Sequence, residues 1–211
     1  MSPLSYLNAP FWLLGVVGAD KSPRKNPILG NEALNKWGLH KKRVRTAANL
    51  AAMRRSRLAS QVPDEDRKFF DENGYFVTRN FLPEAEFEAL KQEVFGGTFD
   101  AREMRQGQAV TRMTPLPPEL LASHPAIAAT MRNERAVAQI RYAASQGGQP
   151  LGFLQTVIVN PTGEKDPQTD VHADTFHATS KAWLFLQDVG EEDGPFCFVP
   201  GSHKLTDKRL E

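Results

Sequence analysis

The residues with the clearest chemical potential lie together in Val171-His172-Ala173-Asp174-Thr175-Phe176-His177. On extended backbone, side chains two apart point the same way, so the His172 imidazole and the Asp174 carboxylate can converge on one point. A metal ion is the natural occupant of such a point. One imidazole and one carboxylate, completed by a second imidazole, make the facial triad of non-haem Fe(II) centres, which keeps three coordination positions open. His-x-Asp is also a common tripeptide, and its bland counterpart is a polar loop at a strand edge. His177, five residues from His172, falls on the other face of an extended chain and is expected in a structural or supporting role. His40 and His124 lie in or beside helical segments and read as surface or cap residues.

The elements that must position this pair follow from periodicity and stop signals. Asn31 to Ser60 reads as one or two amphipathic helices broken near Gly38. Pro63 opens a helix from about 64 to 72, with Asp64, Glu65 and Asp66 at its positive end and Asn73-Gly74 as its stop. Tyr75-Phe76-Val77 has strand propensity, and Phe81-Leu82-Pro83 precedes a helix in which Phe87, Leu90 and Val94 share a face, ended by Gly96-Gly97. Phe99 to Pro118 is polar and Arg-rich, with room for a strand or two. Pro125 begins a helical stretch through Ile127, Met131, Val137 and Ile140 to Gln146-Gly147-Gly148. Phe153–Val159, Lys181–Val189 and Phe196–Val199 then read as strands with both faces apolar, buried between layers. Helices first and strands afterwards predict an α+β chain whose β part is a sandwich or jelly roll.

Composition fits this class. The 211 residues are 40% hydrophobic and 24% charged, which excludes collagen-like, fully disordered and disulfide-scaffold chains. The net charge of +1 gives no global reason to expect a nucleic-acid partner, but it hides an asymmetry. Between Lys21 and Arg57 eleven basic residues face the single acid Glu32, so this segment carries +10 and the remainder −9. Such a segment is either a solvated helical face or a contact for an anionic surface, such as a membrane, a CoA-like phosphate or nucleic acid. The lone Cys197, between Phe196 and Phe198, is expected to be buried as a small hydrophobe, and a cytoplasmic location follows from the absence of a cysteine pair. The first nineteen residues carry no charge, yet they lack a basic n-region and are interrupted by Pro3 and Pro10, so they read as an N-terminal arm.

The ordered series His172-Ala173-Asp174, Trp183-Leu184-Phe185-Leu186-Gln187-Asp188-Val189, Glu191-Glu192-Asp193-Gly194-Pro195 and Val199-Pro200-Gly201-Ser202-His203-Lys204 resembles the phytanoyl-CoA dioxygenase family. Phe70-Asp71-Glu72-Asn73-Gly74-Tyr75-Phe76-Val77 and Phe81-Leu82-Pro83 are similar to that family's entry region, so the resemblance covers roughly residues 64 to 204. It implies a double-stranded β-helix, or cupin-like jelly roll, preceded by helices. It also implies an Fe(II)- and 2-oxoglutarate-dependent dioxygenase that uses dioxygen, converts 2-oxoglutarate to succinate and CO2, and hydroxylates a small-molecule substrate. Under this resemblance His172 and Asp174 are catalytic metal ligands, Gln155, Lys181 and Trp183 line the co-substrate side, and His203 makes hydrogen bonds in its turn.

The family's distal iron-binding His and its 2-oxoglutarate-anchoring Arg or Lys lie tens of residues beyond the Pro-Gly-Ser-His turn, whereas this sequence stops at Glu211. The expectation is therefore an N-terminal arm and basic helical segment over 1–62 and a dioxygenase-like domain over 63–211, incomplete at its C-terminus and holding a half-built iron site. The competing expectation is a catalytically inactive jelly-roll binding module whose strand edges meet a partner.

Overall fold

Local capping chemistry sets the helical half of the molecule. In a computed structural model, which describes residues 9–18, 26–107, 109–159 and 170–210, α1 (Ala9–Val17) is followed by α2 (Glu32–Lys36) and α3 (Leu39–Leu58). The Asn31 side chain accepts from the Leu34 amide and so satisfies a donor that α2 would leave unpaired. The anticipated break falls at Gly38, whose φ of 89° separates α2 from α3. Next comes α4 (Asp64–Asn73), which has three acids in its first turn and ends at Gly74, with φ 88° and an amide donating to the Phe70 carbonyl at 2.7 Å.

Four more helices complete this half: α5 (Glu84–Gly96), α6 (Pro118–Ser123), α7 (Pro125–Met131) and α8 (Glu134–Ala144). The stretch expected to run on from Pro125 is thus two helices. Asn133 interrupts it because its side chain accepts from the Ala136 amide and starts a new N-terminus. At the start of α7, the Glu93 carboxylate of α5 accepts from the Ala126 and Ile127 amides at 2.9 and 3.0 Å, which joins the two helices.

The packed centre is aromatic. Val62, Phe70 and Tyr142 are buried together, with Leu58, Phe76 and Ala138 against them. Phe76 stacks on Phe70 at 5.0 Å and Tyr142 meets Phe70 edge-on at 5.5 Å. Part of the basic segment reaches this centre, while Lys36, Lys41, Lys42, Arg45 and Arg57 stay exposed as a solvated face would. Arg55 of α3 lies 5.0 Å from the Phe70 ring centroid and donates to the Tyr142 and Ala143 carbonyls, while Arg54 donates to the Ser145 carbonyl at 2.9 Å. Two guanidinium groups therefore cover the negative end of α8. Burial lowers the Arg55 pKa from its ordinary value, opposed by Tyr142 and Asp71. Lys21, Arg24 and Lys25 lie outside the described residues.

Three strands form one antiparallel sheet in the order β1 (Arg102–Gln106), β2 (Ala109–Pro115), β3 (Phe153–Val159). β3 has the expected bounds, and β1 and β2 fall inside the Arg-rich stretch. Glu103 sits opposite Arg112 and accepts from Arg112 and Arg105, each at 3.0 Å; these bonds, Arg112 first, hold its carboxyl below the usual range and pin the hairpin register.

Helices with a small antiparallel sheet bear out the α+β class. The other strand expectations need correction. Tyr75-Phe76-Val77 joins no ladder; Tyr75 instead meets Phe69 and Phe198 edge-on, both at 5.4 Å. Lys181–Val189 and Phe196–Val199 also form no strand, and Phe185 and Phe196 remain 54% and 60% exposed. Strand propensity reflects packing on a neighbouring strand, and the described residues offer these segments none. For the same reason β3 is a strand without the expected double burial, with Phe153 and Val157 exposed. Cys197 is exposed rather than buried. Beyond α9 (Asp207–Leu210) no further element is described, and among the described residues no helix is long and apolar enough to cross a membrane.

Candidate functional site

A segment beyond β3 brings His172 and Asp174 together without the help of a strand, with a bend at Asp174. His172 Nε2 and Asp174 Oδ1 are 3.6 Å apart, with each side chain about half exposed. On its other edge, His172 Nδ1 lies 2.7 Å from the Asp170 carbonyl oxygen. A carbonyl oxygen only accepts, so Nδ1 carries the proton and Nε2 presents its lone pair in the neutral ring. Two acceptors, Nε2 and a carboxylate oxygen, therefore face each other, and a cation or a proton between them satisfies both.

Lys181 supplies the next contact. Its ammonium donates to Asp174 Oδ2 at 2.7 Å, which fixes the carboxylate plane with Oδ1 toward the imidazole. Lys181 thus joins the pair directly, where position alone had placed it only on the pocket wall. Trp183 stacks against Phe196 with ring centroids 4.5 Å apart. Gln155 is exposed on β3, in register with Met113 of β2. His172, Asp174 and Lys181 are thus one cluster, and Trp183 and Gln155 make their contacts elsewhere. Among the described residues no group of three or more His, Cys, Asp or Glu side chains is gathered for a metal ion.

The loop turns inward straight after the pair. Thr175 through Ala178 are half-buried, and the Thr175 hydroxyl lies 3.1 Å from the His177 ring nitrogens, which gives His177 the structural setting anticipated for it. His124 fits its cap role, with Nδ1 2.9 Å from the Leu120 carbonyl at the end of α6. Among the described residues His203 makes no hydrogen bond within its own turn; its backbone hydrogen bond is with Asp71 of α4. Its Nδ1 is buried without a partner, and its ring lies 5.4 Å from Phe70, packed over Gly74. The turn itself is held by backbone, the Gly201 amide donating to the Asn73 carbonyl at 2.8 Å. Desolvation pushes the His203 pKa down, Lys204 and Arg55 add to this, and Asp71 opposes it. Two motifs about 130 positions apart in sequence, Asn73-Gly74 and Pro200-Gly201-Ser202-His203, are therefore one structural unit.

A cavity of about 630 Å³ opens between α5 and residues 185–196, with Phe87, Lys91, Phe185 and Phe196 in its wall. Neither His172 nor Asp174 lines it.

A family model described as phytanoyl-CoA dioxygenase matches residues 70–211. No curated protein and no solved structure matches the chain. The family match spans more than half of the sequence and contains α4's stop, the His172–Asp174 pair and the turn that docks on Gly74. On that ground the chain belongs to the phytanoyl-CoA dioxygenase family, within the Fe(II)- and 2-oxoglutarate-dependent oxygenase superfamily.

Proposed function

We propose that this chain carries the first two iron ligands, His172 and Asp174, of a dioxygenase that hydroxylates a small organic substrate at the expense of 2-oxoglutarate and dioxygen. The observation that carries the reading is the Asp170 carbonyl on His172 Nδ1, which leaves Nε2 aimed at Asp174 Oδ1. Metal-bound histidines typically donate their other ring N–H to a carbonyl or carboxylate in this way. The donor set fits the metal: an imidazole nitrogen and a carboxylate oxygen suit non-haem iron, and cis ligands at about 2.1 Å each lie about 3 Å apart, near the separation found here.

Iron, when bound, supplies oxygen activation coupled to decarboxylation of 2-oxoglutarate. The chain's own contribution is positioning. Asp170 fixes the imidazole tautomer, Lys181 orients the carboxylate, and Gln155, Lys181 and Trp183 remain assigned to the co-substrate side. Residues 63–211 constitute the dioxygenase-like domain in this reading. A form of the protein that also supplies the second imidazole and the 2-oxoglutarate anchor is expected to release succinate with Fe(II) and 2-oxoglutarate under air, and His172→Ala or Asp174→Ala to abolish it. Undiminished succinate release in both variants would sink the assignment.

A second reading has its own support. The exposed apolar stretch containing Phe185, Phe196 and Phe198 favours a non-enzymatic module that receives a partner strand. Thermal melts and size-exclusion profiles indifferent to Fe(II), together with an absence of 2-oxoglutarate turnover, would select it.

A further inference from the structure

The His172–Asp174 loop has no strand partner among the described residues, so something else must fix its position. Among the described residues, its contacts with the body include two that reach helices. Ser180 donates to the Ile140 carbonyl of α8 at 3.1 Å on the far side. Nearer the pair, Phe176, two residues beyond Asp174, is half-buried against α3. The Arg43 guanidinium lies 4.8 Å from the Phe176 ring centroid, and His40, one turn earlier on α3, meets the same ring edge-on at 6.1 Å.

Arg43 is itself held. Its Nε donates to the Val16 carbonyl at 2.7 Å, and its Nη2 donates to the Gly15 and Gly18 carbonyls at 3.3 and 3.2 Å. These are carbonyls at the C-terminal end of α1, where a helix leaves acceptors unpaired and carries partial negative charge. The guanidinium thus lies in a fixed plane, with its edge bonded to α1 and the Phe176 ring within cation–π range. A lysine ammonium cannot make this fork of bonds.

We infer that Arg43 is a positioning residue for the candidate iron site, with α1 as the latch that orients it and Phe176 as the handle by which it holds the His172–Asp174 loop. The inference rests on the proposed role of His172 and Asp174 and extends it to residues 9–18 and 39–43, which precede the family match over 70–211. It gives the uncharged N-terminal helix and part of the basic segment one shared task.

The test is amide hydrogen exchange on the full chain, followed by mass spectrometry, for wild type, Arg43→Ala, Arg43→Lys and Phe176→Leu. Removing one partly exposed cation–π contact corresponds to about a fivefold change in the local opening equilibrium. Peptides covering 170–178 are therefore expected to exchange about fivefold faster in Arg43→Ala and Phe176→Leu, with α4 and α8 unchanged and Arg43→Lys between wild type and alanine. Unchanged exchange at 170–178, or an increase that α4 and α8 share equally, would overturn the proposal. Co(II) titration read by visible absorption separates it from the functional reading. His172→Ala is expected to abolish the bound-metal spectrum, whereas Arg43→Ala is expected to weaken affinity about fivefold without altering the band shape. A spectrum indifferent to His172→Ala would defeat the iron-ligand reading and leave the exchange result standing as evidence for the latch.

Discussion

Gly74→Ala tests whether the two family motifs are mechanically joined. Gly74 has a φ of 88°, and a Cβ built there would stand 2.3 Å from His203 Nδ1 and 2.6 Å from its Cγ. Gly38 is the natural control, because its φ is 89° and a Cβ there would meet nothing within 4 Å. Both alanines incur the left-handed backbone cost of about 1–2 kcal/mol, offset by up to about 1 kcal/mol from a stiffer unfolded chain, so Gly38→Ala is expected to cost about 1 kcal/mol. Gly74→Ala must also displace the His203 ring from Phe70 and strain the Gly201–Asn73 backbone bond. Each loss is worth about 1 kcal/mol. A total near 3 kcal/mol, or about 2 more than the control, is a factor of roughly 30 in the folding equilibrium. Urea denaturation followed by far-UV circular dichroism measures both variants. In a His203→Ala background the two nearest imidazole atoms are gone and the Cβ at 3.0 Å remains, so the excess cost of Gly74→Ala should largely disappear. Equal costs at Gly74 and Gly38, or an excess that survives His203→Ala, would refute the docking argument.

His203 also sets a pH dependence. Its folded pKa lies below the usual value of about 6.5, chiefly through desolvation with Lys204 and Arg55 assisting and Asp71 opposing, so the unfolded chain binds the proton more readily. Its contribution is fully present above that unfolded value and is lost as pH falls through it toward the folded pKa. Melts between pH 7.5 and 5.5 should show this loss, and His203→Gln should remove part of the slope; an unchanged slope would remove His203 from the account. Arg55→Ala should cost about 2–3 kcal/mol, because it deletes two carbonyl contacts at the end of α8 and the stack on Phe70. Arg57→Ala, exposed on the same helix, should stay within about 0.5 kcal/mol, and comparable melting losses for the two would show the α8 cap to be unimportant.

What was legible in the sequence divides along physical lines. The break at Gly38, the acidic opening and glycine stop of α4, and the end of α5 at Gly96 were legible because each is decided within a few residues by capping and backbone freedom. Asn133 was missed for the opposite reason. An apolar period continued through it, while one side-chain oxygen was enough to restart the helix. Strand assignments succeeded at β3, where β2 supplies a ladder, and failed at Lys181–Val189, whose pattern is as apolar but whose backbone has no strand beside it among the described residues. Periodicity reports which faces want burial, and it carries no information on whether a neighbour is present to bury them.

The site shows the same division. The spacing of two anticipated that His172 and Asp174 would converge, and they do, although the segment is a loop with a bend at Asp174 rather than a strand. The groups that give the pair its chemistry were not readable. The Asp170 carbonyl that selects the tautomer is a backbone atom and leaves no trace in residue type. Lys181 was noticed for its position, while its contact with Asp174 needs a loop that folds back over seven residues. Arg43 was one of eleven basic residues in a segment whose average charge invited a reading as surface, yet its neighbours are helix carbonyls and an aromatic ring. Net charge sums over side chains as if all faced water, and Arg43, Arg54 and Arg55 are spent instead on backbone carbonyls at the ends of α1 and α8. Arginines that cap helices in this way become part of the scaffold, and the effect of Arg43 on the candidate iron site is then to be sought in the order of the 170–178 loop.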